Sequence, residues 1–307
     1  MTPRSSWMLQ LTAVALLIPC TLWAADLSPE VEDALGRAGT NRAQLETALE
    51  KVPAGRREGM EFLIANMPAR DLITLNADFL LENVKYAYEA MEKAPWGRQV
   101  PKDIFLNDVL PYASVNERRD QWRRDFYARF LPMVEGCTNA SLAAARLNQK
   151  VFPAIKVHYS TRRPKADQSP YESIEAGMAS CTGLSILLID ACRAVGIPAR
   201  FAGTPLWTNK SGNHSWVEIW DNGWHFTGAA EPSGDLLDRA WFVGRARTAQ
   251  RDNPIHAIYA ASFKKTPLLF PLVWDQHVDY VHAVNVTDRY APPPEPDAEE
   301  DVATDKP

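Results

Sequence analysis

Cysteine is scarce and scattered in this chain. The 307 residues hold four, Cys20, Cys137, Cys181 and Cys192, with no C-x-x-C pair and no His/Cys spacing of the kind a structural zinc needs. Neither a metal nor an organic cofactor is therefore expected. A basic excess is also missing: 33 Lys and Arg stand against 38 Asp and Glu, for a net charge of −5. That excludes nucleic acid as a charge-driven partner. Long apolar runs are absent too. The one near the start, within MTPRSSWMLQLTAVALLIPCTLWAAD, is too short for a comfortable membrane span.

That opening stretch has one Arg, a short apolar segment and small residues at Ala24 and Ala25, the pattern of a secretory leader cut after Ala24. Pro19 directly before Cys20 argues against a lipid anchor there. The expected location is periplasmic or secreted. Residues 1–24 are read as the leader, 26–136 as a helical N-terminal region, 137–290 as the main domain, and 291–307 as a tail. The tail is rich in Pro and carries six acids against one Lys, a composition that does not pack a core. Its charge equals that of the whole chain, so the body is nearly neutral. Export leaves three thiols. A Cys137–Cys192 disulfide is one option in an oxidising compartment, and a Cys192 that fills the core side of its helix is the other.

In the helical region, Ser28-Pro29-Glu30 and Asn41-x-x-Gln44 are start signals, the second a loose capping box. Trp122, Phe126 and Phe130 recur every four residues and predict one buried helical stripe. The charges from Glu117 to Asp125, Arg118, Arg119, Arg123 and Arg124 among them, read as a solvated face.

Chemistry concentrates between Ser180 and Pro232. From Leu184 to Val195 nearly every position is apolar, which predicts a helix buried almost all round, ended by Gly196 and Pro198. Cys181 falls at its first turn. Unpaired N–H groups and the helix dipole at such a place favour a thiolate and suit an oxyanion. A buried structural cysteine fits the placement equally well.

Asn222-Gly223 between NHSWVEIWD and WHFTGAAE is a strong hairpin signal. A two-residue turn there pairs Asp221 with Trp224 and Glu218 with Thr227, and by the same count His214 with Glu231. Opposed side chains lie roughly 4.5–5.5 Å apart at Cβ. Glu231 would then orient the His214 imidazole while its other nitrogen serves Cys181. His225, near the turn, and Glu218, two residues from His214 on the same face, are the alternatives. Five tryptophans, 207, 216, 220, 224 and 241, crowd this region. Cross-strand packing accounts for most of them, with Trp207 and Trp216 the candidates for a wall beside the thiol.

SCTGLSILLIDACRAVGIPARF followed by NHSWVEIW and GWHF resembles the transglutaminase-like superfamily, a branch of the papain-like thiol fold. The similarity spans roughly residues 140–245. It carries a Cys at a helix start, an R-A-x-G-I-P-A-R passage and H-x-W-V-E on the next strand. The resemblance implies an α+β fold in which a buried Cys-bearing helix packs on an antiparallel sheet, and a Cys181–His214 pair. In this family the third member is usually Asp before Pro; here Glu231-Pro232 stands in that place. Gln168 is a candidate oxyanion donor on the papain analogy. The implied activity is attack of Cys181 on an amide or peptide carbonyl through a thioester, with hydrolysis favoured over cross-linking. The expected partner is a protein or peptide substrate, and cell-envelope material is compatible with the aromatic content. The competing reading is an inactive binding or scaffolding module of the same fold.

Overall fold

The computed structural model describes residues 27–293; the expectations for the leader, for Cys20 and for the tail beyond Pro293 lie outside them. The described chain opens with helices α1 (Pro29–Arg37), α2 (Arg42–Lys51), α3 (Arg57–Asn66), α4 (Ala69–Leu72), α5 (Ala77–Lys93) and α6 (Lys102–Asp108). Leu35, Leu45, Leu63, Leu80 and Val109 meet in their shared core. Ser28 caps α1 by accepting from the Val31 N–H, and Asn76 does the same for Phe79 in α5. Asn41 makes no cap bond. Its amide instead donates to the carbonyls of Leu72 and Leu75, at 2.8 Å each, tying α2 to the approach of α5.

Helix α7 (Arg123–Phe130), α8 (Ala140–Ile155), α9 (Pro170–Ala176) and α10 (Cys181–Ala194) follow. Two short parallel strands, β1 (His158–Tyr159) and β2 (Met178–Ala179), flank α9. Then β3 (Ala199–Thr204), β4 (His214–Trp220), β5 (Trp224–Thr227), β6 (Tyr259–Ser262), β7 (Leu268–Leu269) and β8 (His282–Asn285) form an antiparallel sheet in the order β5-β4-β3-β6-β8-β7. The fold is α+β, with the Cys-bearing helix laid on the sheet. Phe201, Val217 and Ile219 face α10, α7 and α8 in one core. Ala202, Trp216 and Ala260 face the other way into a second, smaller one with Phe242 and Tyr290. This inside-and-outside alternation is the period-two rule of a sheet covered on both faces.

Trp122, Phe126 and Phe130 are buried as the stripe predicts, although α7 itself begins at Arg123. The expected solvated face is only partly there: Arg118 and Arg124 are exposed, but the rest is not. Arg123, Glu117 and Asp120 are buried, because the irregular chain before α7 brings main-chain groups inside that need partners. Arg123 donates to Asn83 Oδ1 and to the carbonyls of Val109, Leu110, Pro111 and Arg193. Glu117 accepts from the N–H groups of Ser114 and Val115 at 2.6 and 2.8 Å. Period-based reading sees only side-chain polarity and is blind to such demands.

Every residue of α10 after Cys181 is buried. A helix with no wet face must satisfy its polar side chains in place. Arg193 does so with main-chain carbonyls, donating to Asp108, Pro111, Ala113 and Ala199, whereas the Ser185 hydroxyl and the Asp190 carboxylate have no partner among the described residues. Three of those four carbonyls lie at the end of α6 or just after it, so the helical region supplies most of the acceptors for a charge carried by α10. Cys192 fills the core and, with Cys137, is a free thiol; burial pushes the Cys192 thiol up. On these contacts Arg193→Met should lower the unfolding free energy by about 3 kcal/mol or more. Urea unfolding followed by circular dichroism reads this; a loss under about 1 kcal/mol would show that the guanidinium does not join the two regions.

Candidate functional site

Cys181 is the first residue of α10 and is partly exposed while the rest of its helix is not. Ser180 caps the helix: its hydroxyl accepts from the Gly183 N–H at 3.2 Å and donates to the Ala166 carbonyl at 2.7 Å. Gly183 packs closely, since a Cβ there would lie 3.0 Å from the Ala179 Cβ and push its neighbour by a few tenths of an ångström. First-turn N–H groups have no partner within a helix, which leaves donors beside the thiol.

His214 is the first residue of β4. It is brought to Cys181 by the residues that follow each of them: the buried Thr182 and Ser215 hydroxyls hydrogen-bond at 3.2 Å. The β3–β4 ladder fixes its backbone through the Thr204–His214 pair. Gly203 lets the two strands approach there, for a Cβ at that position would stand 2.7 Å from the His214 carbonyl oxygen. Cys181 and His214 line one cleft of about 750 Å³, together with Glu231, Trp207, Trp241, Asn148, Lys156 and Arg245.

Residues 129–228 match the family model of the transglutaminase-like superfamily. This part of the chain is a transglutaminase-like domain. No curated protein matches the sequence. Solved structures with similarity include a Cytophaga hutchinsonii protein proposed to be a cysteine protease, with 16% identity over 53% of this chain and 58% of the other, at a TM-score of 0.31. The chain thus spans less than two thirds of that protein.

The hairpin of the transglutaminase-like domain departs from the expected register. Observed partners are Trp220 with Trp224, Ile219 with His225, Glu218 with Phe226 and Val217 with Thr227, one residue off the two-residue turn. Asp221 leaves the ladder because its carboxylate accepts from the Ser141 N–H at the start of α8, at 3.0 Å. A slip of one residue exchanges the faces of a strand, so His214 and Glu231 are not cross-strand partners. The ladder ends at Thr227 and the chain turns back at a Gly228–Glu231 bridge. Asn148 of α8 holds this turn, donating to Thr227 Oγ1 and the Gly228 carbonyl and accepting from the Ala230 N–H, at 2.8 to 2.9 Å. That turn, rather than the ladder, delivers Glu231 to the cleft.

Glu231 accepts from the Trp241 indole N–H at 2.9 Å, and no side-chain hydrogen bond joins it to His214 among the described residues. Partial burial pushes its carboxyl up against the opposing effect of the indole. The His214 Nε2 is buried without a partner. Burial first, then the Arg245 cation, lower its pKa to about 4, so the imidazole is neutral at pH 7 and able to accept a proton.

Glu218, the alternative acid, is a structural group. It is buried and accepts from Arg200, Arg289 and Tyr290. Its carboxyl is lowered in spite of burial by Arg200 and Arg289. His225, the alternative base, pairs with Asp238 at 2.6 Å on the surface. Trp207 lines the cleft and lies parallel to Trp216. Trp216 itself is fully buried on the outer sheet face, where its N–H donates to Tyr290 at 2.8 Å; it forms no part of the wall. Gln168 is likewise away from the cleft. Its amide N–H groups donate to the carbonyls of Glu172 and Met178, which leaves none for an oxyanion. The aromatic that sequence reasoning passed over is Trp241. It is half exposed and lies 4.8 Å from the His214 ring, beyond the end of the hairpin, where no periodicity marks it. Among the described residues no cluster of His, Cys, Asp and Glu converges as metal ligands would.

A buried neutral His makes stability depend on pH. Its folded pKa lies below the unfolded value of 6.5, so the unfolded chain takes the proton first. The stability is intact above pH 6.5 and falls as pH drops toward 4, by about 3 kcal/mol at full protonation. Urea unfolding at pH 7 and pH 4 should show a His214→Asn variant losing less than the wild type by about that amount. Equal losses in the two proteins would refute a buried, neutral His214.

Proposed function

We propose that this is an exported cysteine enzyme in which Cys181 attacks an amide or peptide carbonyl and His214 moves the proton. The supporting observation is the Thr182–Ser215 hydrogen bond, which sets the helix start carrying Cys181 against the strand start carrying His214 in one cleft. The thiol proton passes to His214, Sγ bonds to the carbonyl carbon, and first-turn N–H groups of α10 receive the oxyanion. Collapse breaks the C–N bond, His214 returns the proton to the leaving amine, and a thioester remains on Cys181. Water resolves it to an acid, and an amine resolves it to a new amide. Hydrolysis is the favoured outcome. Glu231 serves as the acid of the site, with Trp241 holding its carboxylate.

A second reading, a binding module without turnover, draws on the unpaired His214 Nε2 and on a Glu231 already engaged elsewhere. Catalytic hydrogen bonds often tighten only when substrate is bound, so these features do not outweigh the shared cleft.

p-Nitrophenyl acetate separates the readings without knowledge of the natural substrate. The enzyme reading expects a burst of one nitrophenolate per chain, an acetyl group mapped to Cys181, no burst in Cys181→Ala, and a rate at least about 100-fold lower in His214→Ala. With methylamine added at millimolar concentration, acetate should exceed N-methylacetamide; the reverse would make the protein a transferase. A wild-type chain that is never acetylated at Cys181 would leave the binding module standing.

A further inference from the structure

The cleft carries a charge imbalance that the acyl-transfer steps do not use. Two cations line it: Lys156, the left-handed cap of α8, and Arg245, in a short helix at Val243–Ala246. Among the described residues neither has a carboxylate within 4.0 Å. Three other arginines of this domain are paired, Arg200 and Arg289 with Glu218 and Arg251 with Asp288. Glu231 is the acid lining the cleft, and its carboxylate is turned to the Trp241 N–H rather than to either cation.

Arg245 is also placed rather than loose. Its guanidinium lies over the Trp241 ring, 5.0 Å from the centroid, a cation–π contact that fixes a planar donor set at the lip. The same indole lies 4.8 Å from His214. The Arg245 field is felt at the imidazole, where it opposes protonation. An anion seated on Arg245 would cancel that field while the imidazole takes the thiol proton, so binding and chemistry favour each other.

We propose that Arg245, assisted by Lys156, forms an anion subsite, and that the compound attacked by Cys181 carries a carboxylate close to the reacting carbonyl. This rests on the reading of Cys181 as nucleophile. A planar guanidinium suits a carboxylate through paired N–H donors. The carboxylate comes from an acidic side chain or from a chain terminus.

Iodoacetate and iodoacetamide provide the test, being alike in size and unlike in charge. With either, Cys181 Sγ bonds to the methylene carbon, the C–I bond breaks and iodide leaves. The readout is the ratio of the iodoacetate to the iodoacetamide rate at Cys181, followed by peptide mapping. Arg245→Gln should lower this ratio about tenfold, Arg245→Lys should keep most of it, and Lys156→Gln should lower it by a smaller factor. A ratio unchanged within twofold in both Gln variants overturns the subsite while leaving the nucleophile in place. Failure of both reagents at Cys181 overturns the nucleophile itself, and the substrate assignment with it. Protection of the wild type against iodoacetamide then assigns the source. N-acetylglutamic acid α-amide protecting best means an acidic side chain, and N-acetylalanine protecting best means a terminal carboxylate. Equal protection by neutral N-acetylglutamine α-amide overturns the charge selectivity.

Discussion

The structure depends on keeping a charged helix dry. Helix α10 has no solvent face beyond Cys181, yet it carries Asp190, Cys192 and Arg193 in its last two turns. Burying a guanidinium is tolerable only where its N–H groups find acceptors, and Arg193 finds them on the chain leaving α6 and on β3. Arg123 extends the arrangement by donating to the Arg193 carbonyl and to that same outgoing chain. Burial lowers its pKa to about 9, as expected of a charge held by dipoles with little compensating negative charge. The helical region therefore acts as part of the seat of the cysteine helix. Its helices do not line the cleft, but they decide whether the residue at the start of α10 is held in one place.

Much of this was legible in the sequence. An apolar run with Cys181 at its head and a Gly-x-Pro stop gave α10. The aromatic stripe gave the core of α7. Cys181 and His214 followed from where elements begin, which local signals mark well. Glu231 is a different case. Its role was inferred from a hairpin register, and the register is off by one because Asp221 bonds to the Ser141 N–H. Glu231 still arrives in the same cleft, by a separate turn that Asn148 supports. The sequence places Glu231 beside His214 through a register that the fold does not use.

What stayed hidden shares a cause. Asn148, Trp241, Arg193 and Arg245 act through partners 10 to 85 residues away or across irregular chain. No periodicity or dipeptide signals such pairings. Gln168 and Trp216 show the converse. Each belongs to a residue type suited to the assigned role, and each is already spent on the scaffold, one on two carbonyls and the other on a second core. Residue type proposes a role; the hydrogen-bond account of the surroundings decides whether the group is free to take it.

The family motif itself reads differently once its parts are seen in contact. The Arg of the I-P-A-R passage is Arg200, and the Glu of H-S-W-V-E is Glu218; they are partners across β3 and β4, with two contacts at 2.7 Å. The Trp of the same segment, Trp216, packs beneath them and reaches Glu218 through Tyr290. Arg200 also covers the Trp224 ring at 3.6 Å. These residues occur together because each needs the others to be buried at acceptable cost, so their joint presence argues for the sheet. It says little about turnover. A chain could keep all of them, keep the fold, and carry no reactive thiol. The case for chemistry rests instead on Cys181 and His214, the members of the pattern that line the cleft: one is a partly exposed helix-start thiol, the other a buried ring with an unpaired nitrogen. An unpaired polar group that lines a cleft is where function is to be sought.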